Sequence, residues 1–158
     1  MIFIKKYVII YYKKIKIKDL IIIRIWHQSL IKHLPRQQLL GQHRECCALR
    51  GKGWGRNHSV VNYVFTHSPA RLVAYHYLIM NEMKERGYRP NEIWYEVEYR
   101  GSALGEETFW CDPAILSGLL DAAENHNYII YPEHNDEYLQ ECIENLKQKG
   151  IDINGKLS

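Results

Sequence analysis

The sequence has no long apolar run. Its longest stretches, Val8 to Tyr12 and Leu20 to Ile23, fall far short of the roughly 18 to 20 residues a membrane span needs, so no transmembrane helix is expected. Cysteine is scarce: of four, Cys46 and Cys47 are adjacent and none forms a CxxC pair. That argues against a disulfide scaffold and fits mostly buried thiols in a reducing, cytoplasmic compartment. Several catalytic signatures are missing, among them GxxxxGK, GxGxxG, GxSxG and HExxH. Eight histidines are present, but His43 with Cys46 and His67 with His76 give no pair-of-pairs spacing, so packing or phosphate contact is expected of them rather than zinc binding.

What remains is a 158-residue chain, one ordinary domain's worth, with 25% charged residues, 46% in the AVILMFWYC set and 12 tyrosines. That is the composition of a folded, soluble protein. The net charge of +3 is unevenly spread. Residues 1–23 carry six lysines against Asp19, and residues 24–56 carry seven Lys/Arg (Arg24, Lys32, Arg36, Arg44, Arg50, Lys52, Arg56) against Glu45 alone. Residues 57–158 hold eight basic against sixteen acidic side chains, a net of −8. A basic stretch with one acid in its middle suits a phosphate-binding face, and a merely solvated face looks the same. Charge alone leaves both open.

The first 23 residues are almost wholly Ile, Lys and Tyr, the residues that AT-rich codons specify, and read as low complexity. Lysines interrupt every apolar run, so neither a signal peptide nor a transit peptide fits. Translated upstream DNA, or a start assigned too early, is expected; the structural alternative is a strand-like arm, given the segment's β propensity. Two units follow: the extension 1–23 and a domain over 24–158.

From Arg24 the text is ordinary protein. Pro35 can open a helix through RQQLLGQHRECCALR that Gly51 stops. At 100° per residue, Leu39, Leu40, Cys46, Cys47 and Leu49 share one arc, and Gln37, Gly41, Arg44, Glu45 and Ala48 the other. The second arc sets an arginine beside a carboxylate, flanked by small residues that would admit a bulky partner. Ser68 and Pro69 start a second helix closed by Gly87, with Leu72, Tyr75, His76, Ile79 and Met83 at core spacing. Asp112-Pro113 opens a third to about Asn125. Asn135 caps a fourth with Leu139, Cys142, Ile143 and Leu146 inward, ending at Gly150. Residues 91–110 are ambiguous between helix and strand. The expected fold is all-α, a single domain of three to four main helices.

Arg24-Ile25-Trp26, a helix ending Gln42-His-Arg-Glu45, the segment Val61-Asn-Tyr-Val-Phe65, a long helix ending Lys84-Glu-Arg-Gly-Tyr88 and the Tyr131-Pro-Glu-His134 turn together resemble the pyrimidine-dimer DNA glycosylase family, the phage endonuclease V type. The resemblance spans Arg24 to about Lys149. It implies a DNA repair enzyme, a glycosylase with abasic-site lyase activity, whose nucleophile is the polypeptide's own α-amine. That amine attacks the anomeric carbon of the damaged nucleotide and forms an imine. By this resemblance Glu45 matches the catalytic glutamate, Arg24 and Arg44 match arginines on phosphates, Gln37 matches a polar contact, and the amine belongs to Ile23 or Arg24. Arg36, Arg50, Lys52 and Arg56 have no positional match and would add salt-dependent affinity. The implied partner is damaged double-stranded DNA with a nucleotide flipped out. A cytoplasmic, nucleoid-associated monomer is expected, needing neither metal nor cofactor.

The sequence departs from the family pattern in three places. Ile23 stands where the family has a small residue, a second arginine after the glutamate falls near Ala48, and the last helix carries Asp136, Glu137, Glu141 and Glu144 in place of basic residues. The readings from other classes are a DNA-binding module without the amine and a protein-interaction domain whose basic face is only solvated.

Overall fold

The computed structural model describes residues 23–58 and 60–157. The expectations for positions 1–22, a misassigned start or a strand-like arm, lie outside the described residues. Within these are four α-helices, α1 (Arg36–Arg50), α2 (Pro69–Glu85), α3 (Pro113–His126) and α4 (Asp136–Gln148), and four short 3-10 turns at Gln28–His33, Asn62–Thr66, Glu92–Tyr95 and Asn154–Lys156. The all-α expectation holds. No described helix is long and apolar enough to cross a membrane.

The helix ends follow local chemistry. The side chains of Ser68, Asp112 and Asn135 accept from the N–H of Ala70, Ala114 and Tyr138, each satisfying a donor that a helix start leaves free. Past α2, Gly87 takes φ +81°, and Asn127 closes α3 at φ +53°, the left-handed conformation that ends a helix at little steric cost. Pro35 stands just before α1 as its cap residue.

Helix α2 is the scaffold. It packs against α1 and α3 together, so burial runs round it: Leu72, Val73, Tyr75, His76, Ile79, Met80 and Met83 are all buried. Helix α4 turns Cys142, Ile143 and Leu146 inward, with Leu139 half-buried beside them.

Residues 91–110 are neither helix nor strand. They form the Glu92–Tyr95 turn and a loop closed by a single antiparallel bridge, Tyr99 to Glu106. Arg50 organises this segment. Its Nη1 donates to the carbonyl of Trp94 at 2.7 Å, and its Nη2 to those of Glu96 and Tyr99 at 2.8 and 3.0 Å. The Arg50 side chain is fully buried, which corrects the expectation that it faces phosphate. Its Nη1 and Nη2 are committed to these carbonyls and to the ring of His76. Arg50→Ala would strand the carbonyls of Trp94 and Tyr99 and open a cavity, for an expected loss of about 3 to 5 kcal/mol in urea unfolding. An unchanged unfolding midpoint would return Arg50 to the surface.

Candidate active site

The site is built on the extended segment 23–27, where Ile23, Ile25 and Trp26 are buried and only Arg24 reaches partly outward. Three helices hold its backbone. From α1, the Gln42 carboxamide accepts from the N–H of Trp26 at 2.7 Å and donates to the carbonyl of Arg24 at 2.8 Å. From α2, the Tyr75 hydroxyl contacts the carbonyl of Trp26 at 2.7 Å, and from α4 the Tyr138 hydroxyl donates to that of Ile25 at 2.6 Å. Such saturation fixes the position of the Ile23–Arg24 junction.

Glu45 lies against that junction. Its Oε2 accepts from Gln42 Nε2 at 2.9 Å, and the backbone N–H of Arg24 faces its carboxyl and favours the ionised form. Burial pushes this carboxyl up to about 7, against the pull of the Arg24 N–H and of the Lys149, Arg24 and Arg44 charges. A carboxyl poised near neutrality can both give and take a proton.

The cations around it differ in availability. The Arg44 side chain is exposed, and its Nη2 lies close enough to α1 that a Cβ on Gly41 would stand 3.8 Å away, an ordinary contact. Gln37 and Ala48 are exposed on the same face, so the expected arc of Gln37, Gly41, Arg44, Glu45 and Ala48 faces outward except for the half-buried Gly41 and Glu45. Arg24 rests 5.7 Å from the Trp26 ring centroid and pairs with Glu141 at 3.3 Å. Arg36 is exposed, its guanidinium over the Tyr88 ring at 5.5 Å, and Lys52 and Arg56 are exposed in the loop after α1. The structure thus brings Arg24, Arg44 and Glu45 together, leaves Arg36, Lys52 and Arg56 on the surface, and withdraws Arg50.

Sequence reasoning passed over Gln42, Tyr75, Tyr138 and Lys149. Gln42 had a readable signal: Leu39, Gln42, Cys46 and Leu49 form one buried stripe at three and four spacing, and a lone amide in such a stripe needs partners. The other three touch the site only through tertiary contacts.

Two histidine clusters sit beside the site. His134 Nδ1 accepts from the N–H of Gln28 at 3.1 Å, so its Nε2 carries the proton and donates to the Tyr63 hydroxyl at 2.7 Å. Burial and the neighbouring His27 push His134 down to about 3, which keeps it neutral. On the α1–α2 interface, ligand atoms of His43, Cys47 and His76 lie within 4.8 Å of one another. Arg50 Nη1, which can only donate, stands 3.1 Å from His76 Nδ1 and so confines that ring's proton to Nε2, 2.8 Å from His43 Nδ1. The nitrogen aimed at the cluster is a donor, and a hydrogen-bonded chain explains the cluster better than a metal centre.

A groove of about 970 Å³ opens elsewhere, between the Gln28–His33 turn, α2 and α3, lined by residues such as Lys32, Asn81 and Glu82. None of the expected site residues lines it.

Residues 23–96 match the family model described as pyrimidine dimer DNA glycosylase. The family resemblance is thereby shown over the segment that begins at Ile23 and takes in Arg24, α1, Glu45 and α2. No curated protein and no solved structure matches the chain.

Proposed function

We propose that the protein excises pyrimidine dimers from double-stranded DNA, as a glycosylase that also nicks the abasic strand, through the α-amine of a chain that begins at Ile23 or Arg24. The observation that carries this reading is Glu45, raised to about 7 by burial and lying against the backbone nitrogen of Arg24. This supports an amine at Arg24 directly, and one at Ile23 by a single residue's distance along the segment.

The steps balance. The amine nitrogen bonds to C1′ of the damaged nucleotide, and the bond from C1′ to the base breaks, the base leaving with the electron pair and taking up the proton that the attacking nitrogen sheds. Glu45 in its acid form protonates the ring oxygen as the sugar opens, which leaves a protonated imine. The resulting carboxylate then removes a proton from C2′, and the electron pair expels the 3′ phosphate and breaks the strand. Water releases the amine from the imine. An α-amine has a reference pKa of about 7.7 to 8.0, so a useful fraction is neutral at physiological pH, unlike a lysine.

Borohydride reduction of a mixture of abasic-site duplex and protein beginning at residue 23 tests this. The expected product is a protein–DNA adduct whose modified peptide is the N-terminal one. Salt-dependent binding with no adduct would favour the DNA-binding module, and neither would favour the protein-interaction reading.

Arg44 is the phosphate contact of this proposal that can be removed most cleanly. Arg44→Ala should weaken binding alike on all DNA sequences and flatten the salt dependence by about one phosphate's worth, while stability moves by less than about 1 kcal/mol. A salt titration alongside urea unfolding checks both; an unfolded variant would make Arg44 structural.

A further inference from the structure

Gln42 is buried to 1% exposure and makes four polar contacts, two on each end of its carboxamide. Which end is oxygen follows from the neighbours. The N–H of Trp26 can only donate, so the atom 2.7 Å from it is the carbonyl oxygen, which the Tyr75 hydroxyl also approaches at 3.0 Å. The carbonyl of Arg24 can only accept, so the atom 2.8 Å from it is the NH2. That NH2 has two hydrogens. One is committed to Arg24, and the other points at Glu45 Oε2, 2.9 Å away. Accepting from a fixed N–H draws charge from Oε2 and makes it the less basic of the two carboxyl oxygens, so the proton favours Oε1.

We propose that Gln42 is a positioning residue of the site: its NH2 holds Oε2 of Glu45 and ties it to the backbone of Arg24, so that Glu45 is aimed and exchanges its proton by preference through Oε1. The proposal rests on the reading of Glu45 as the proton-transferring carboxylate. It adds which oxygen does the transfer and what aims it. The same carboxamide that holds the carbonyl of Arg24 and the N–H of Trp26 holds the carboxylate, so segment and acid move as one unit. A rigid tie of this kind suits chemistry in which small misplacements cost rate. The donor also favours the ionised form, opposing burial together with the charges that face Glu45: Arg24 from the segment, Arg44 from α1 and Lys149 from the end of α4.

The test reads Glu45 directly, on the full chain and without DNA. Carboxyl NMR of glutamate-labelled protein should give a Glu45 midpoint near 7 in the parent. Gln42→Met keeps the shape of the side chain but removes the donor, and should move that midpoint up by about one pH unit or more. A folded variant whose midpoint is unmoved overturns the proposal, because a side chain that merely fills the core would leave Glu45's titration alone. Should the methionine variant fail to fold, the parent protein decides. One Gln42 side-chain amide proton should be shielded from exchange and should shift through the same midpoint as Glu45; an amide that does not sense the titration overturns the proposal equally. These readouts are independent of strand cleavage. Protein beginning at residue 23 that forms no adduct with abasic DNA overturns the glycosylase reading and leaves the midpoints standing, whereas an unmoved midpoint overturns the role of Gln42 and leaves the adduct standing.

Discussion

Glu45→Gln should still bind damaged DNA while losing about 10² to 10⁴ in turnover, the span that general acid–base groups supply. The amide keeps the size and one hydrogen-bond acceptor but has no proton to exchange. Stability should move the other way. Glu45 is raised from its ordinary 4.5 to about 7, so it holds its proton more tightly in the folded protein than in the unfolded one. Its contribution to stability is full below the unfolded value and is lost as pH rises through about 7. An ionised Glu45 is therefore a burden on the fold at and above neutral pH. The glutamine variant, free of it, should unfold at higher urea there, by on the order of 2 kcal/mol, with the gain vanishing towards pH 4. A gain in stability with a loss in rate marks a residue kept for chemistry. If Glu45 served only as an ion-pair partner of Arg44, the variant would lose up to about 1 kcal/mol and nick DNA within a few fold of its parent. That pair of results would retire the mechanism.

The four helices were legible because what starts and stops them is local. Ser68-Pro69 and Asp112-Pro113 satisfy or remove the free donors of a first turn, and Asn135 accepts from the N–H of Tyr138 only three residues on. The outward arc of α1 was legible for the same reason, since helical periodicity alone puts Gln37, Arg44 and Ala48 on one side. Arg50 shows where this stops. It lies at a helix end in a basic stretch and reads as a phosphate ligand, but the carbonyls that claim it belong to residues 94, 96 and 99, which lie 44, 46 and 49 residues further along the chain. Gln42 is similar. Its partners Trp26, Arg24 and Tyr75 lie 16, 18 and 33 residues away, and no window short enough to show periodicity contains them all. The raised proton affinity of Glu45 comes first from burial, a property of the packed molecule. The family resemblance pointed to Glu45, and the packing around it raises its proton affinity.

Protein that begins at Ile23 or Arg24 should cleave dimer-containing duplex at least about 10³-fold faster than the 158-residue chain, because the nucleophile exists only in the shorter form. In the longer chain the nitrogens of residues 23 and 24 are amide nitrogens. Their lone pairs are delocalised into the carbonyls, and they can form no imine. In the shorter chain one of them becomes an amine, held near Glu45 by the contacts of Gln42, Tyr75 and Tyr138 on the segment. Borohydride should then trap the shorter protein on abasic DNA and not the longer one, while both bind DNA through Arg44, Lys52 and Arg56, the longer form at least as salt-dependently because it adds six lysines. Equal trapping of the two forms would remove the α-amine from the mechanism. The adduct would then have to lie on a side-chain amine, and Lys149, whose charge acts on Glu45 from the end of α4, is the first place to map it.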